Sequence, residues 1–201
     1  MMVDLHTVDS NAPWGDYGSI LVNGMSRHLP KLDGLIQLER TGPFVPCLSV
    51  PVPVDVIVTE RTRAKLVESN LSGATFRPVH RTRIVHSDWH TWNIGASRPA
   101  RIPTSGEPED YVLAQPHDRD CAETIGPLWE LVASQLGQGT LVVISKRPRA
   151  ARVSVNLDAR ADFLRVNGVG ALLVSDRARS WIETALDRTW IRFGPVEVES
   201  G

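Results

Sequence analysis

The residues best suited to chemistry lie in one short polar segment, His86-Ser87-Asp88-Trp89-His90. Its two imidazoles and its carboxylate are ligands that suit zinc or iron, and they can also act as general acids and bases. In a strand, His86, Asp88 and His90 would face the same side but extend over about 13 Å, too far to meet at one ion. A metal site would need a further ligand from elsewhere in the chain. We therefore interpret the segment as a polar strand that faces solvent or a partner.

No other pattern in the sequence adds a catalytic centre. The chain lacks the motifs G-x-x-x-x-G-K-[ST], H-E-x-x-H and G-x-S-x-G. Cys121 follows His117 closely, but one histidine alone does not make a thiol nucleophilic. The sequence therefore predicts no catalytic residue, no cofactor and no metal, in a protein that is not an enzyme. A metal-dependent or hydrolytic enzyme that uses His86, Asp88 and His90 is the alternative hypothesis.

The charge composition argues against a nucleic-acid-binding protein. The 201 residues include 22 Lys and Arg and 23 Asp and Glu, for a formal net charge of −1, whereas such proteins show a basic excess. Trp89 and Trp92 could stack on bases beside the first of two basic clusters. Without an overall basic excess, we interpret both clusters as exposed turns. The clusters are Arg77, Arg81 and Arg83, and Lys146, Arg147, Arg149 and Arg152.

The elements that position these residues include a strand–helix–strand pattern that occurs twice, at residues 54–79 and 171–196. In the first copy, Thr59 follows an apolar run as a helix cap, and Pro78 closes the returning strand. In the second copy, Ser175 is the cap and Pro195 closes the strand. Self-similarity at a fixed spacing predicts an internal repeat, and convergence on a common unit is the alternative.

The remaining elements complete one α+β domain over residues 1–201. The first fifty residues are punctuated by Pro and Gly, which predicts a β-rich region with strands at 20–22 and 35–38. Apolar residues at helical spacing from Cys121 to Leu136 predict a central helix that Pro127 kinks. We expect a strand or hairpin over 81–94, a loop over 97–108, and further strands at 141–144 and 153–155.

The sequence favours a cytoplasmic protein. Cys47 and Cys121 form no CxxC pair, and we expect both to be reduced thiols. The first residues lack the basic and apolar regions of a signal peptide. The longest apolar runs are far shorter than the ~18 residues that a membrane span requires.

Three segments of the second module carry a family resemblance. They are residues 157–166 with an Asp-x-Phe strand, 170–177 with Leu-Val-Ser-Asp-Arg at a helix start, and 191–196 with a closing Phe-x-x-Val strand. Together they resemble the C-terminal module of bacterial immunity proteins of the double-CxxCG type, which are encoded beside polymorphic toxins. The resemblance implies an immunity protein that binds and neutralises a cognate secreted toxin or effector domain. This chain has neither CxxC, so the zinc-ribbon part of that family is not implied.

The partner-facing surface is expected on segments that the core does not need. The loop over 97–110 carries acids, which speed the encounter with a basic cleft, and the neighbouring strand offers aromatic anchors. By alternation along that strand, Trp92 shares a face with His86 and His90. The predicted contact residues are Glu107, Glu109, Asp110, Tyr111, Trp89, Trp92, His86 and His90.

Overall fold

The computed structural model describes residues 4–87, 89–91, 93, 95–98, 108–138, 140–146, 149–154, 161–167 and 170–199. Helices and strands both occur throughout this part of the chain, which confirms the predicted α+β class. None of its helices has the length and apolar character needed to cross a bilayer. The helices are α1 Asp16–Asn23, α2 Glu60–Glu68, α3 Pro108–Ala114, α4 Arg119–Ile125 and α5 Asp176–Ala185. The strands are β1 Leu5–Ser10, β2 Gln37–Gly42, β3 Leu48–Val52, β4 Asp55–Thr59, β5 Ala74–Pro78, β6 His80–His86, β7 Leu128–Gln138, β8 Thr140–Lys146, β9 Arg149–Ser154, β10 Phe163–Asn167, β11 Leu173–Ser175 and β12 Ile191–Glu199.

The first predicted module is confirmed as β4–α2–β5. Thr59 caps α2, because its Oγ1 atom accepts a hydrogen bond from the backbone N–H of Thr62 at 3.2 Å. Asn70 and Gly73, with φ angles of 59° and 85°, turn the chain after the helix. Strand β7 lies between β4 and β5 and is antiparallel to both. The module is therefore a split β–α–β unit whose central strand comes from later in the chain.

The second predicted module is confirmed as β11–α5–β12 and has the same plan. Ser175 caps α5, because its Oγ atom accepts a hydrogen bond from the N–H of Ala178 at 3.1 Å. Strand β1 lies between β11 and β12 and is antiparallel to both. This second unit thus takes its central strand from the start of the chain instead of from a later segment.

The two modules also agree in strand register. Thr59 stands opposite Leu128 of β7, and Ser175 stands opposite Leu5 of β1. Strand β7 in the first module therefore corresponds residue by residue to β1 in the second. The strand pair Phe76–Leu131 of the first module corresponds to the strand pair Phe193–Val8 of the second. In the same way, Pro78–Trp129 corresponds to Pro195–His6.

One sheet joins the modules, because β10 pairs with β7 in parallel and with β11 antiparallel. The strand order is β3-β4-β7-β10-β11-β1-β12-β9-β8, with β5 also paired to β7. Buried Val58, Phe163 and Val174 belong to one apolar cluster that draws on both modules. Strand β8 confirms the strand predicted at 141–144. Strand β9 confirms the one predicted at 153–155 as far as Ser154, because Val155 lies outside the described residues.

The prediction of a central kinked helix is wrong beyond residue 125. Helix α4 ends at Gly126, whose φ of 71° stops it, and the chain after Pro127 forms the strand β7. The apolar residues had helical spacing, but β7 is flanked on both sides by strands that bond its backbone. Both faces of β7 are also covered, since Leu128 packs in one apolar cluster and Leu131 in another. Its apolar residues therefore do not alternate strictly, and the helical period arises by coincidence.

Two smaller predictions are also wrong. Residues 20–22 belong to α1, not to a strand, and Gly18, Leu21 and Val22 form its buried side. Glycine is required at position 18, because a Cβ there would overlap the carbonyl oxygen of Pro13. Pro195 does not close its strand: β12 changes neighbour there, pairing with β1 up to Val196 and with β9 from Val196 onward. The missing N–H of Pro195 therefore breaks neither ladder.

A second, two-stranded sheet carries the region where the partner surface is predicted. It consists of β2 and β6 in parallel, with β2 overlapping the strand predicted at 35–38. Its apolar side packs on the main sheet through Ile36, Leu38 and Ile57. Helices α3 and α4 lie against β6, at the side of the molecule where the chain leaves His86.

Candidate functional site

Residues 108–125 wrap around the free edge of strand β6, and we call them the strap. The N–H of Ile84 donates to Nδ1 of His117 at 3.0 Å, and the N–H of Asp118 donates to the Ile84 carbonyl at 2.8 Å. These bonds cover a strand edge that would otherwise invite pairing with other chains.

The two helices of the strap pack on opposite faces of β6. Val85 contacts Val112 of α3, whereas its neighbour Ile84 contacts Cys121 and Ala122 of α4. Successive residues of a strand point to opposite faces, so the strap passes from one face to the other around the edge.

Two arginines of β6 fasten the strap. Arg83 donates to the carbonyl of Leu113 in α3, and Arg81 donates to the carbonyl of Ala122 in α4. A register shift at Thr82 lets these arginines reach opposite faces although they are two positions apart. Both carbonyls lie near helix C-termini, where a cation is favourable.

The first basic cluster is thus committed to contacts within the molecule. Its third member, Arg77, makes two hydrogen bonds to the buried carboxylate of Glu130, at 2.8 and 3.1 Å. These arginines lie on the paired strands β5 and β6 and are half-buried, so the interpretation of the first cluster as an exposed turn is wrong. Guanidinium groups held in this way offer less to a phosphate backbone. The side chains of the second basic cluster lie outside the described part of the chain.

The outer surface of the strap is acidic. Residues 108–125 contain five acids and one arginine, Arg119. Asp118 caps α4, because its Oδ1 atom accepts a hydrogen bond from the N–H of Cys121 at 2.9 Å. Two acids predicted as contacts belong to the first turn of α3, Glu109 half-buried and Asp110 exposed. The other two acids, Asp120 and Glu123, are exposed on α4.

The remaining predicted contact residues fall partly outside the described chain. Glu107, Trp92 and the side chain of Tyr111 are not described, and neither is most of the loop predicted over 97–108. The same holds for Asp88 of the alternative metal hypothesis. These residues stay predictions.

The strand predicted to carry both histidines ends at His86. His86 is exposed at the end of β6, and His90 lies in a 3-10 turn at Trp89–Thr91. The prediction that alternation places His86 and His90 on one strand face is therefore wrong. The ring of His90 instead stacks on Phe44, with centroids 4.7 Å apart and planes 15° apart.

Trp89 lies in the core, where it cannot serve as an interface anchor. Its side chain is 1% exposed. Its ring meets Phe44 and Trp190 edge to face, with centroids 5.1 and 5.2 Å apart. Trp89 therefore ties the turn after β6 to the second module instead of facing a partner.

The described residues contain no group of three or more His, Cys, Asp or Glu side chains that could hold a metal ion. Cys47 and Cys121 are free thiols, as the sequence predicts. Cys121 is buried against Ile84, and its role in packing agrees with its predicted place on the inner face of a helix.

Strand β2 carries two buried charges that the sequence did not reveal. Glu39 lies 3.2 Å from Nδ1 of His28 and 3.6 Å from Nε of Arg83. Arg40 is fully buried and donates to the carbonyls of Thr41 and Val22 at 3.0 and 3.1 Å, and burial lowers its pKa to about 10. Adjacent charged residues in a sequence usually indicate an exposed turn. Glu39 and Arg40 are buried instead, because groups from other elements surround them and supply their partners. Both charged groups therefore stabilise the fold beneath the strap.

Asp162 joins the two modules through buried hydrogen bonds. Its carboxylate accepts bonds from the N–H and Oγ of Ser72, at 2.8 and 3.0 Å, and from Oγ of Ser175 at 2.7 Å. Burial by itself raises the pKa of Asp162, but these bonds outweigh burial and hold that pKa below its usual value. Ser72 follows α2 and Ser175 caps α5, so one carboxylate fixes both helices.

No family model and no curated protein matches this chain. The resemblance to double-CxxCG immunity proteins therefore rests on the three quoted segments of the second module. Those segments supply structural residues of this fold: Phe163 is buried in β10, Ser175 caps α5, and Phe193 lies on β12.

Proposed function

We propose that this chain is an immunity protein, which binds and neutralises a cognate secreted toxin domain through the strap. The observation that carries the proposal is the separation of charge across residues 80–125. The arginines of β6 donate to helix carbonyls, and Arg83 also lies near the buried carboxylate of Glu39. Three acids of the strap, in contrast, are exposed: Asp110, Asp120 and Glu123. Exposed negative charge on α3 and on α4 complements a cleft lined by positive charge.

The acids of the strap have a partial explanation in helix stability. Glu109, Asp110 and Asp120 stand in first turns, where the helix dipole favours a carboxylate, and Asp118 is a cap. Helix stability does not explain Glu123, because Glu123 lies in the last turn of α4, where the helix dipole makes a negative charge unfavourable. Its side chain is exposed, and its carboxylate makes no hydrogen bond or ion pair with any described residue. A role in binding accounts for Glu123 as well as for the others.

The proposed mechanism is steric and electrostatic. An immunity protein acts by covering the toxin's active cleft, and a stable complex of this kind buries about 1,600 Å² in total. Acids on the strap would raise the rate of encounter with a basic cleft. His86, at the end of β6, and His90, in the turn that follows, are both exposed and are proposed as further contacts. The protein would act in the cytoplasm of the producing cell, where its free thiols stay reduced.

The test begins with the reading frames that neighbour this gene. The toxin domain encoded there is expressed with and without this chain, and survival of the host cells is measured. Protection together with a purified one-to-one complex supports the proposal. If no neighbouring product is toxic, or if this chain forms no complex with the toxic one, the proposal fails.

The alternative function is a metal-dependent or hydrolytic enzyme that uses His86, Asp88 and His90. Metal analysis of the purified protein discriminates between the two functions. Near-stoichiometric zinc or iron that disappears in a His86→Ala/His90→Ala variant would favour the enzyme, and we expect neither metal to be present.

A further inference from the structure

A groove of about 510 Å³ lies on the side of α2, between the first module and the segment that follows α5. Pockets of several hundred cubic ångströms are the usual size of sites for small organic ligands. The lining residues are Phe44, Val45, Cys47, Thr59, Arg61, Thr62, Lys65, Ala185, Leu186 and Asp187.

Apolar side chains form one part of the groove. Phe44, Val45 and Leu186 are half-buried and line it together. The thiol of Cys47 also lines it and donates to the carbonyl of Asp187 at 3.0 Å, which joins the segment before β3 to the segment after α5. This part can receive the apolar body of a ligand.

Positive charge lies along the α2 side. Arg61 is exposed in the first turn of α2, and its guanidinium group makes no hydrogen bond or ion pair with any described residue. Lys65 is one turn further on and donates to the carbonyl of Ala185 at 2.8 Å, which leaves its charge uncompensated. Glu60, the acid beside Arg61, is held away by bonds to Arg63 and Trp129.

One negative group also borders the groove, and it is already bonded. The carboxylate of Asp187 accepts bonds from Oγ1 and N–H of Thr189 at 2.7 and 3.0 Å, and these bonds lower its pKa. Two cations against one anion leave the groove with a net positive charge. A ligand that fits must therefore combine an apolar body with a negative group that reaches Arg61.

We propose that this groove binds a small organic carboxylate with an apolar body, the carboxylate at Arg61 and the body against Phe44, Val45 and Leu186. The groove shares no lining residue with the strap, and the proposal does not depend on the proposed immunity function. Cys47 provides a reporter inside the groove, because a bound ligand shields its thiol from alkylation.

The test measures alkylation of Cys47 by iodoacetamide, with the modified peptide identified by mass spectrometry. We expect 4-phenylbutyrate to slow this reaction in a saturable manner. The uncharged analogue 4-phenylbutan-1-ol should require about fivefold higher concentrations for the same protection, since exposed ion pairs contribute modestly. Cys121, buried in another part of the molecule, serves as the internal control.

Two changes should remove the advantage of the carboxylate over the alcohol. The first is Arg61→Gln, with Arg119→Gln on α4 as the matched control, because both arginines are exposed on helices. The second is a high salt concentration on the unaltered protein, which screens the charge without any effect on folding of a variant. If 4-phenylbutyrate gives no protection, or if its advantage survives both changes, the site does not exist as proposed.

Discussion

The Nε2 atom of His6 lies 3.3 Å from Oδ1 of Asp176, and this pair repeats a contact of the other module. There, Nε1 of Trp129 donates to Oε2 of Glu60 at 2.5 Å. His6 and Trp129 hold the same place on the central strands β1 and β7, and each carboxylate belongs to the first residue of the module's helix. The plan that the two modules share thus includes the bond that ties each helix to its sheet, which the sequence pattern did not indicate.

The two caps should differ in their contribution to stability. Thr59→Ala removes a neutral cap and should lower the free energy of unfolding by about 1 kcal/mol. Ser175→Ala should cost more, about 2 kcal/mol, because Oγ of Ser175 also donates to the buried carboxylate of Asp162. Urea unfolding monitored by circular dichroism measures both values. Equal costs would mean that the bond to Asp162 adds nothing.

Asp162 should make the protein sensitive to acid. Because its pKa in the folded state is lower than in the unfolded chain, its ionised form stabilises the fold fully at pH values above the unfolded pKa. That stability is lost as the pH falls through the folded pKa, below about 4. An Asp162→Asn variant should be less stable at pH 7 and should lose less stability between pH 5 and pH 3. Parallel pH dependences of the two proteins would contradict the assignment.

Local sequence rules were sufficient to predict the strand–helix–strand segments of both modules, but not the central strands. A hydroxyl after an apolar run marked the caps at Thr59 and Ser175, and both occur where they are predicted. The central strands could not be found in this way, since β1 and β7 are each separated from part of their module by a long stretch of chain. Strand β7 even has helical apolar spacing, and only its neighbours on both sides determine its conformation.

The structure exposes some of the predicted contact residues and buries others. Asp110 is exposed in the first turn of α3, not in a loop, whereas Trp89 is in the core. In the sequence, the position of Trp89 between polar residues and histidines predicts an exposed side chain. Its burial depends on Phe44 and Trp190, which are distant in the chain, so no local pattern could indicate it.

Trp89 should therefore contribute to stability and not directly to binding. Trp89→Ala removes a buried aromatic side chain and should lower the free energy of unfolding by about 3–5 kcal/mol. His90→Ala, at the exposed neighbouring position, is the matched control and should cost less than about 1 kcal/mol. Chemical denaturation measures the free energy of unfolding of both variants. Full stability of Trp89→Ala would contradict its place in the core.

The strap should control the rate of association with the toxin. Glu109→Lys/Asp110→Lys on α3 and Asp120→Lys/Glu123→Lys on α4 reverse the charge of each helix separately. Because long-range attraction guides charged surfaces together, each pair should lower the association rate by about tenfold at low salt, with a smaller effect at high salt. Asp4→Lys/Glu68→Lys is the matched control, since both acids are exposed and lie outside the strap. Rates are measured by surface plasmon resonance, and protection of cells that express the toxin is scored alongside.

An effect confined to one pair would identify which face of β6 meets the toxin. Unchanged rates and full protection for both pairs would exclude the strap, and the exposed side of the second module would be the next surface to test.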